Sequence, residues 1–142
     1  MKKFILVICI AIVIIASFSY VYYSYVYTEK SKMLDRKIFE SYLKKEIYGT
    51  QVASIINKVI DLNEQNNIPK GTNGIYLNDD RNSIELEVLF IDNDKVYNGC
   101  EIYNGGINTF VQYYGQIKFR CNEILYHTMT GNISKIVFSQ IE

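Results

Sequence analysis

Residues 4–27 read FILVICIAIVIIASFSYVYYSYVY, a stretch with no charged residue, no proline and no glycine. At a helical rise of about 1.5 Å per residue it extends roughly 36 Å, more than a hydrocarbon core of about 30 Å. A chain carrying such a segment must either keep it in lipid or lose it. No catalytic or ligand-binding motif accompanies it, so location is better specified than molecular function.

Two readings of residues 1–27 compete. Lys2 and Lys3 form a positive n-region, Phe4 to Ile15 an apolar h-region, and Ser17-Phe18-Ser19 a cleavage site that would cut after Ser19. Apolar and aromatic residues nevertheless continue through Tyr20, Val21, Tyr22, Tyr23, Tyr25, Val26 and Tyr27. Tyrosines gathered at one end of a spanning helix match an interfacial belt and favour a retained anchor. Cys9 follows Ile8, not the small residue of a lipobox. Lys30, Lys32, Arg36 and Lys37 compete with Lys2 and Lys3 in positive-inside counting. An N-terminal anchor before one long domain most often translocates that domain. The expectation is therefore a transmembrane anchor over 1–27, with a cytoplasmic N-terminus and an extracytoplasmic domain over 28–142.

Setting the anchor aside leaves about 115 residues, the size of one small domain. Fifteen Lys and Arg balance fifteen Asp and Glu in the 142-residue chain, which gives no basic excess for nucleic acid. Cys9 falls in the apolar helix. Cys100 and Cys121 remain as the one intradomain pair, either bridged across a loop of about 20 residues, worth roughly 3 kcal/mol, or reduced and buried.

From Thr28 to Tyr48 the apolar residues Met33, Leu34, Ile38, Phe39, Tyr42, Leu43, Ile47 and Tyr48 recur at helical spacing. Gly49 interrupts this helix. Thr50 caps a second one running to about Asn63, with Val52, Ile55, Ile56, Val59 and Ile60 on one face. Residues 63–74 (NEQNNIPKGTNG) form a surface loop. Ser83 to Ile91 alternates Ile84, Leu86, Val88 and Phe90 against Glu85 and Glu87, the pattern of a half-buried strand. Asp92-Asn93-Asp94-Lys95 is a turn, and Val96 to Ile102 a partner strand carrying Cys100. Ile107 to Tyr114 is a helical connection after Gly105-Gly106. Residues 117–128 and 133–140 make a final hairpin around Thr130-Gly131-Asn132. The expected fold is α+β: amphipathic helices on one face of an antiparallel sheet of about four strands.

Candidate chemistry is sparse. His127 lies six residues after Cys121, roughly 20 Å along a regular strand and too far for a proton-sharing thiol and imidazole. Cys100 can meet His127 only across strands. Asp92, Asp94 and Glu101 lack the ligand spacing and glycine of a calcium loop. Two scattered cysteines and one histidine supply no zinc-ligand pair, and no glycine-rich loop follows a strand to cradle phosphate. Asn132-Ile133-Ser134 is formally a glycosylation sequon that also serves the hairpin turn. Tyr97, Tyr103, Tyr113 and Tyr114, near Gly105-Gly106, are the candidates for an aromatic binding patch.

An apolar N-terminal helix that runs into an amphipathic helix and then a sheet resembles the layout of type IV pilins and pseudopilins. Those families carry a glycine before a cleavage site and a glutamate early in the mature helix; residues 4–27 have neither. The segment Gly49-Thr50-Gln51-Val52 through Ile56-Asn57-Lys58, with Asp61, is similar to small single-pass proteins of low-GC Gram-positive bacteria. The resemblance implies a minor assembly component. The expectation is thus a non-enzymatic, cofactor-free membrane protein whose partners are the membrane and other proteins, in a pilus-like or secretion apparatus. Its alternatives are a tethered module for a cell-envelope ligand, or a thiol-dependent enzyme.

Overall fold

The computed structural model describes residues 2–91 and 95–141. The Asp92-Asn93-Asp94 portion of the expected turn, with its share of the calcium-loop reading, lies outside the described residues. Backbone contacts divide the chain into two units, Met1–Lys37 and Ile38–Glu142.

The first unit lies in α1 (Lys2–Glu40), a helix long and apolar enough to cross a membrane. Side chains from Phe4 to Tyr25 are exposed, an apolar surface that water disfavours and lipid accepts. Ser17, Ser19 and Thr28 donate their hydroxyls to the carbonyls of Val13, Ile15 and Ser24 at 2.8, 2.8 and 2.9 Å. Their polar groups are therefore satisfied inside the helix, as a hydrocarbon environment requires. Tyr23 and Tyr27 stack one turn apart, ring centroids 6.5 Å.

Helical spacing predicts a helix through Tyr48, but α1 stops at Glu40. Tyr42 and Leu43 close tight bonds to the Phe39 and Glu40 carbonyls, and Ser41 donates its hydroxyl to the Ile38 carbonyl at 2.7 Å. Lys44 then takes a positive φ of 61° and gives its N–H to Cys121 at 2.8 Å. The chain thereby enters a sheet as β1 (Glu46–Tyr48), with Ile47 buried opposite Phe119. Ile47 satisfies a helical stripe and an inward-facing strand position equally well, so spacing could not separate them.

The sheet contains β1, β2 (Glu85–Leu89), β3 (Val96–Asn98), β4 (Lys118–Tyr126) and β5 (Ile133–Gln140), in the order β1-β4-β5-β2-β3. The expected α+β layout is present, with a sheet of five strands that is mixed where about four antiparallel ones were expected. β2 and β5 run parallel, while the remaining neighbours are antiparallel. Two helices, α3 (Gly99–Asn104) and α4 (Ile107–Tyr114), form the crossover between β3 and β4. After that crossover the β4–β5 hairpin returns with β5 in β2's own direction. Alternation within each strand specifies which face is buried and is silent about which neighbour it pairs with.

Helix α2 (Gly49–Gln65) buries the five apolar residues expected of it against Leu86, Val88, Phe119, Ile124, Ile136 and Phe138. Each such burial contributes about 1.5–3 kcal/mol. The start of α2 passes the end of α4 so closely that a Cβ on Gly49 would lie 2.0 Å from the Tyr114 carbonyl oxygen. Only glycine fits there.

Several polar groups in the domain find specific partners, whereas the buried Gln140 Oε1 accepts no hydrogen bond from a described residue. Asn63, fully buried, donates Nδ2–H to the Ile84 carbonyl and accepts the Ile84 N–H, both at 2.8 Å. The end of a helix is thus tied to the start of β2 by the two bonds a neighbouring strand would make. Asp79 accepts the N–H groups of Arg81, Asn82 and Ser83 at 3.0, 2.7 and 2.7 Å. Asn132 donates to Asn82 at 3.0 Å and Thr130 to the Arg81 carbonyl at 2.7 Å, which fastens the β4–β5 turn to that loop.

Both edge strands, three residues each, run directly into a helix. In each case a side chain on the third helical residue reaches back to the strand. Gln51 Oε1 accepts the Tyr48 N–H at 3.1 Å, and Glu101 Oε2 accepts the Asn98 N–H at 3.0 Å. These capping interactions occupy strand-end N–H groups that an added strand would use.

Candidate functional site

Phe90, the residue after β2, is the hub of a ring cluster. Its centroid lies 4.7 Å from Tyr114, 5.5 Å from Tyr97, 5.9 Å from Phe119 and 6.4 Å from Phe110. Phe110 and Tyr114, one turn apart on α4, stack at 5.5 Å with planes 27° apart. The edge-to-face and offset arrangements are those that aromatic quadrupoles favour. Phe90, Phe110 and Phe119 are buried, so the cluster is anchored in the core and open only on one side.

On that side is a pocket of about 460 Å³, within the usual size of small-molecule sites. Phe90, Tyr97, Phe110, Tyr113 and Tyr114 supply its rings. Glu101, Ile102, Thr109, Gly105 and Gly106 supply the rest. The walls form because α3 and α4 meet at the two glycines. Gly105 donates its N–H to the Glu101 carbonyl at 2.9 Å and ends α3, and Gly106, at φ 103°, redirects the chain into α4. Few residues but glycine hold that backbone, and neither places a side chain in the mouth.

Of the four tyrosines expected to form a patch, Tyr97, Tyr113 and Tyr114 line this pocket, and Tyr103 does not. Tyr113 is 67% exposed at the rim, whereas Tyr114 is half-buried in the wall. Sequence reasoning missed Phe90, Phe110, Glu101 and Thr109. Phe90 reads as a core residue of an alternating strand, and nothing local announces that its ring also faces a cavity.

Comparison with protein-family models, with curated proteins and with solved structures finds no match.

Elsewhere the chemistry is quiet. Cys100 and Cys121 are both buried free thiols. Cys100 is in the first turn of α3 and not on a strand as expected, because Asn98 accepts the Cys100 N–H at 2.8 Å and starts a helix. Cys121 lies on β4, opposite Phe138 of β5. Burial pushes the Cys121 thiol up to about 11 and raises that of Cys100 as well, which disfavours the reactive thiolate. His127 is buried with Nε2 2.7 Å from the Ser83 carbonyl, so that nitrogen carries the proton and donates. Among the described residues no hydrogen bond joins a thiol to this ring, and no group of three His, Cys, Asp or Glu is arranged to hold a metal ion.

The sheet face away from the helices carries a charged ladder. Glu46 bonds Arg120 and lies 3.8 Å from Lys118; Lys135 lies 2.7 Å from Glu87 and 3.5 Å from Glu85. The Arg120 hydrogen bond holds the Glu46 carboxyl below its ordinary range. The exposed pairs at Glu46 add little stability, while Lys135 and Glu87 are half-buried.

Proposed function

We propose that this chain is a single-pass, non-enzymatic binding protein of the cell envelope. In this reading residues 1–27 stay in the membrane with the N-terminus cytoplasmic. The domain stands outside and takes a ligand group into the aromatic pocket. The observation that carries the reading is the convergence of Tyr97, Tyr113 and Tyr114 with two buried phenylalanines on one pocket. Support for the anchor comes from the unbroken helix: Ser17-Phe18-Ser19 lies in mid-helix, and α1 continues to Glu40. Signal peptidase sites lie at the end of an apolar segment, not within it.

The same geometry weighs against assembly by adding a strand at either sheet edge. Gln51 and Glu101 already occupy strand-end N–H groups at the two edges.

Co-sedimentation tests this reading. The full chain in maltoside micelles is mixed with deproteinised envelope fragments from the source cell. Wild type sediments with them, and a Tyr97→Ser, Tyr113→Ser double variant stays in the supernatant. Equal sedimentation of the two proteins would contradict a role for the pocket.

A further inference from the structure

The pocket's wall is chemically one-sided. Five rings line it, with one carboxylate, Glu101, and no lysine, arginine or histidine among the described residues. The Asn98 N–H holds Glu101 Oε2 at 3.0 Å, which fixes the carboxylate in place. No described residue forms a salt bridge with it, so its charge is left for whatever enters. The hydroxyls of Tyr97, Tyr113 and Tyr114 likewise make no hydrogen bond to another described residue.

Ring faces are negative and attract cations, most strongly when several surround a poorly hydrated ammonium. A carboxylate beside them adds direct attraction. An anionic ligand would face the Glu101 carboxylate and the ring faces with only neutral hydroxyls to donate to it, and a neutral apolar one would leave the Glu101 charge desolvated without a partner. We infer that the pocket binds a quaternary or methylated ammonium group, carried on a larger molecule for which the remaining volume has room. This rests on the proposed binding role of the pocket and adds the class of ligand.

The probes are choline and neohexyl alcohol, its uncharged isostere with carbon in place of nitrogen. N-acetylglucosamine serves as a neutral sugar. Each is titrated into the full chain in maltoside micelles while the ring resonances of Tyr113 and Tyr114 are followed. Choline is expected to bind saturably and roughly tenfold or more tighter than neohexyl alcohol. Glu101→Gln keeps the oxygen that caps Asn98 and removes the charge. It should lower choline affinity about tenfold, leave neohexyl alcohol binding no weaker, since the desolvated charge is gone, and keep the fold.

Equal binding of choline and its isostere, or binding of the sugar alone, overturns the cation assignment and leaves the pocket a binding site. No saturable response to any probe overturns both readings. Nanodiscs separate two supporting outcomes. Shifted rings in phosphatidylcholine discs before any choline is added identify a lipid headgroup as the source. Shifts that appear in phosphatidylglycerol discs only after choline is added identify a soluble or polymer-borne one.

Discussion

The Gln51 side-chain oxygen lies 3.1 Å from the Tyr48 backbone nitrogen, closing the last N–H of an edge strand with the helix that follows it. Glu101 and Asn98 repeat the device at the opposite edge, at 3.0 Å. Removing a capping partner costs about 0.5–2 kcal/mol. Gln51→Ala should therefore lower the melting temperature of the full chain in micelles by several degrees. Gln51→Glu, which keeps an acceptor, should lower it much less. Circular dichroism melts of the two variants check this.

Asn63, fully buried, and Ile84, half-buried, share two hydrogen bonds of 2.8 Å. Asn63→Ala takes the partner from both the N–H and the carbonyl of Ile84 in a half-buried setting. Unsatisfied buried groups cost about 1–3 kcal/mol each, so this single change should be among the most damaging in the domain. Urea unfolding followed by circular dichroism should show a lower midpoint, with hydrogen exchange at Ile84 accelerated relative to Ile136.

Burial tends to raise the Asp79 carboxyl, but the backbone N–H groups of Asn82, Ser83 and Arg81 outweigh it and hold the group at about 2. A depressed folded value means that the ionised form stabilises the fold. That contribution is present above the ordinary carboxylate value of 3.8 and is lost as pH falls towards about 2. Melting temperature measured between those limits should drop more steeply for wild type than for Asp79→Asn. Parallel curves for the two proteins would show that this loop does not couple to folding.

Cys100 and Cys121 are buried, and burial disfavours both thiolates. Maleimide should label neither at a useful rate in the folded chain and both after denaturation. Mild oxidation should leave them unlinked, since β5 and β2 lie between β4 and β3, the strand that leads into Cys100. Mass spectrometry after a labelling pulse reads both outcomes. An intramolecular bridge formed without unfolding would contradict the observed placement.

The parts of the fold governed by local rules were legible in the residues. The apolar run of α1, the stripe Val52 to Ile60 on α2, the alternation of β2 and the hairpin around Gly131 all emerged as read. What escaped depended on distant partners. Ile47 became a strand residue because β4 was there to receive it, and Cys100 became helical because the Asn98 side chain caps Gly99 onward. The parallel β2–β5 pair needs a topology that no single window contains. At the pocket, three tyrosines were recognisable from their clustering around Gly105-Gly106. Phe90, distant in sequence, entered through tertiary packing alone.

The proposed function requires a domain held outside the cytoplasm by a retained helix. Intact cells expressing the chain with a C-terminal tag are treated with protease, then fractionated, and the membranes are washed with alkaline carbonate. The prediction is an uncut chain that stays in carbonate-washed membranes without protease, and loss of the tagged domain when protease is added outside. A carbonate-soluble product beginning near Tyr20, or a domain protected until the cells are broken, would contradict it.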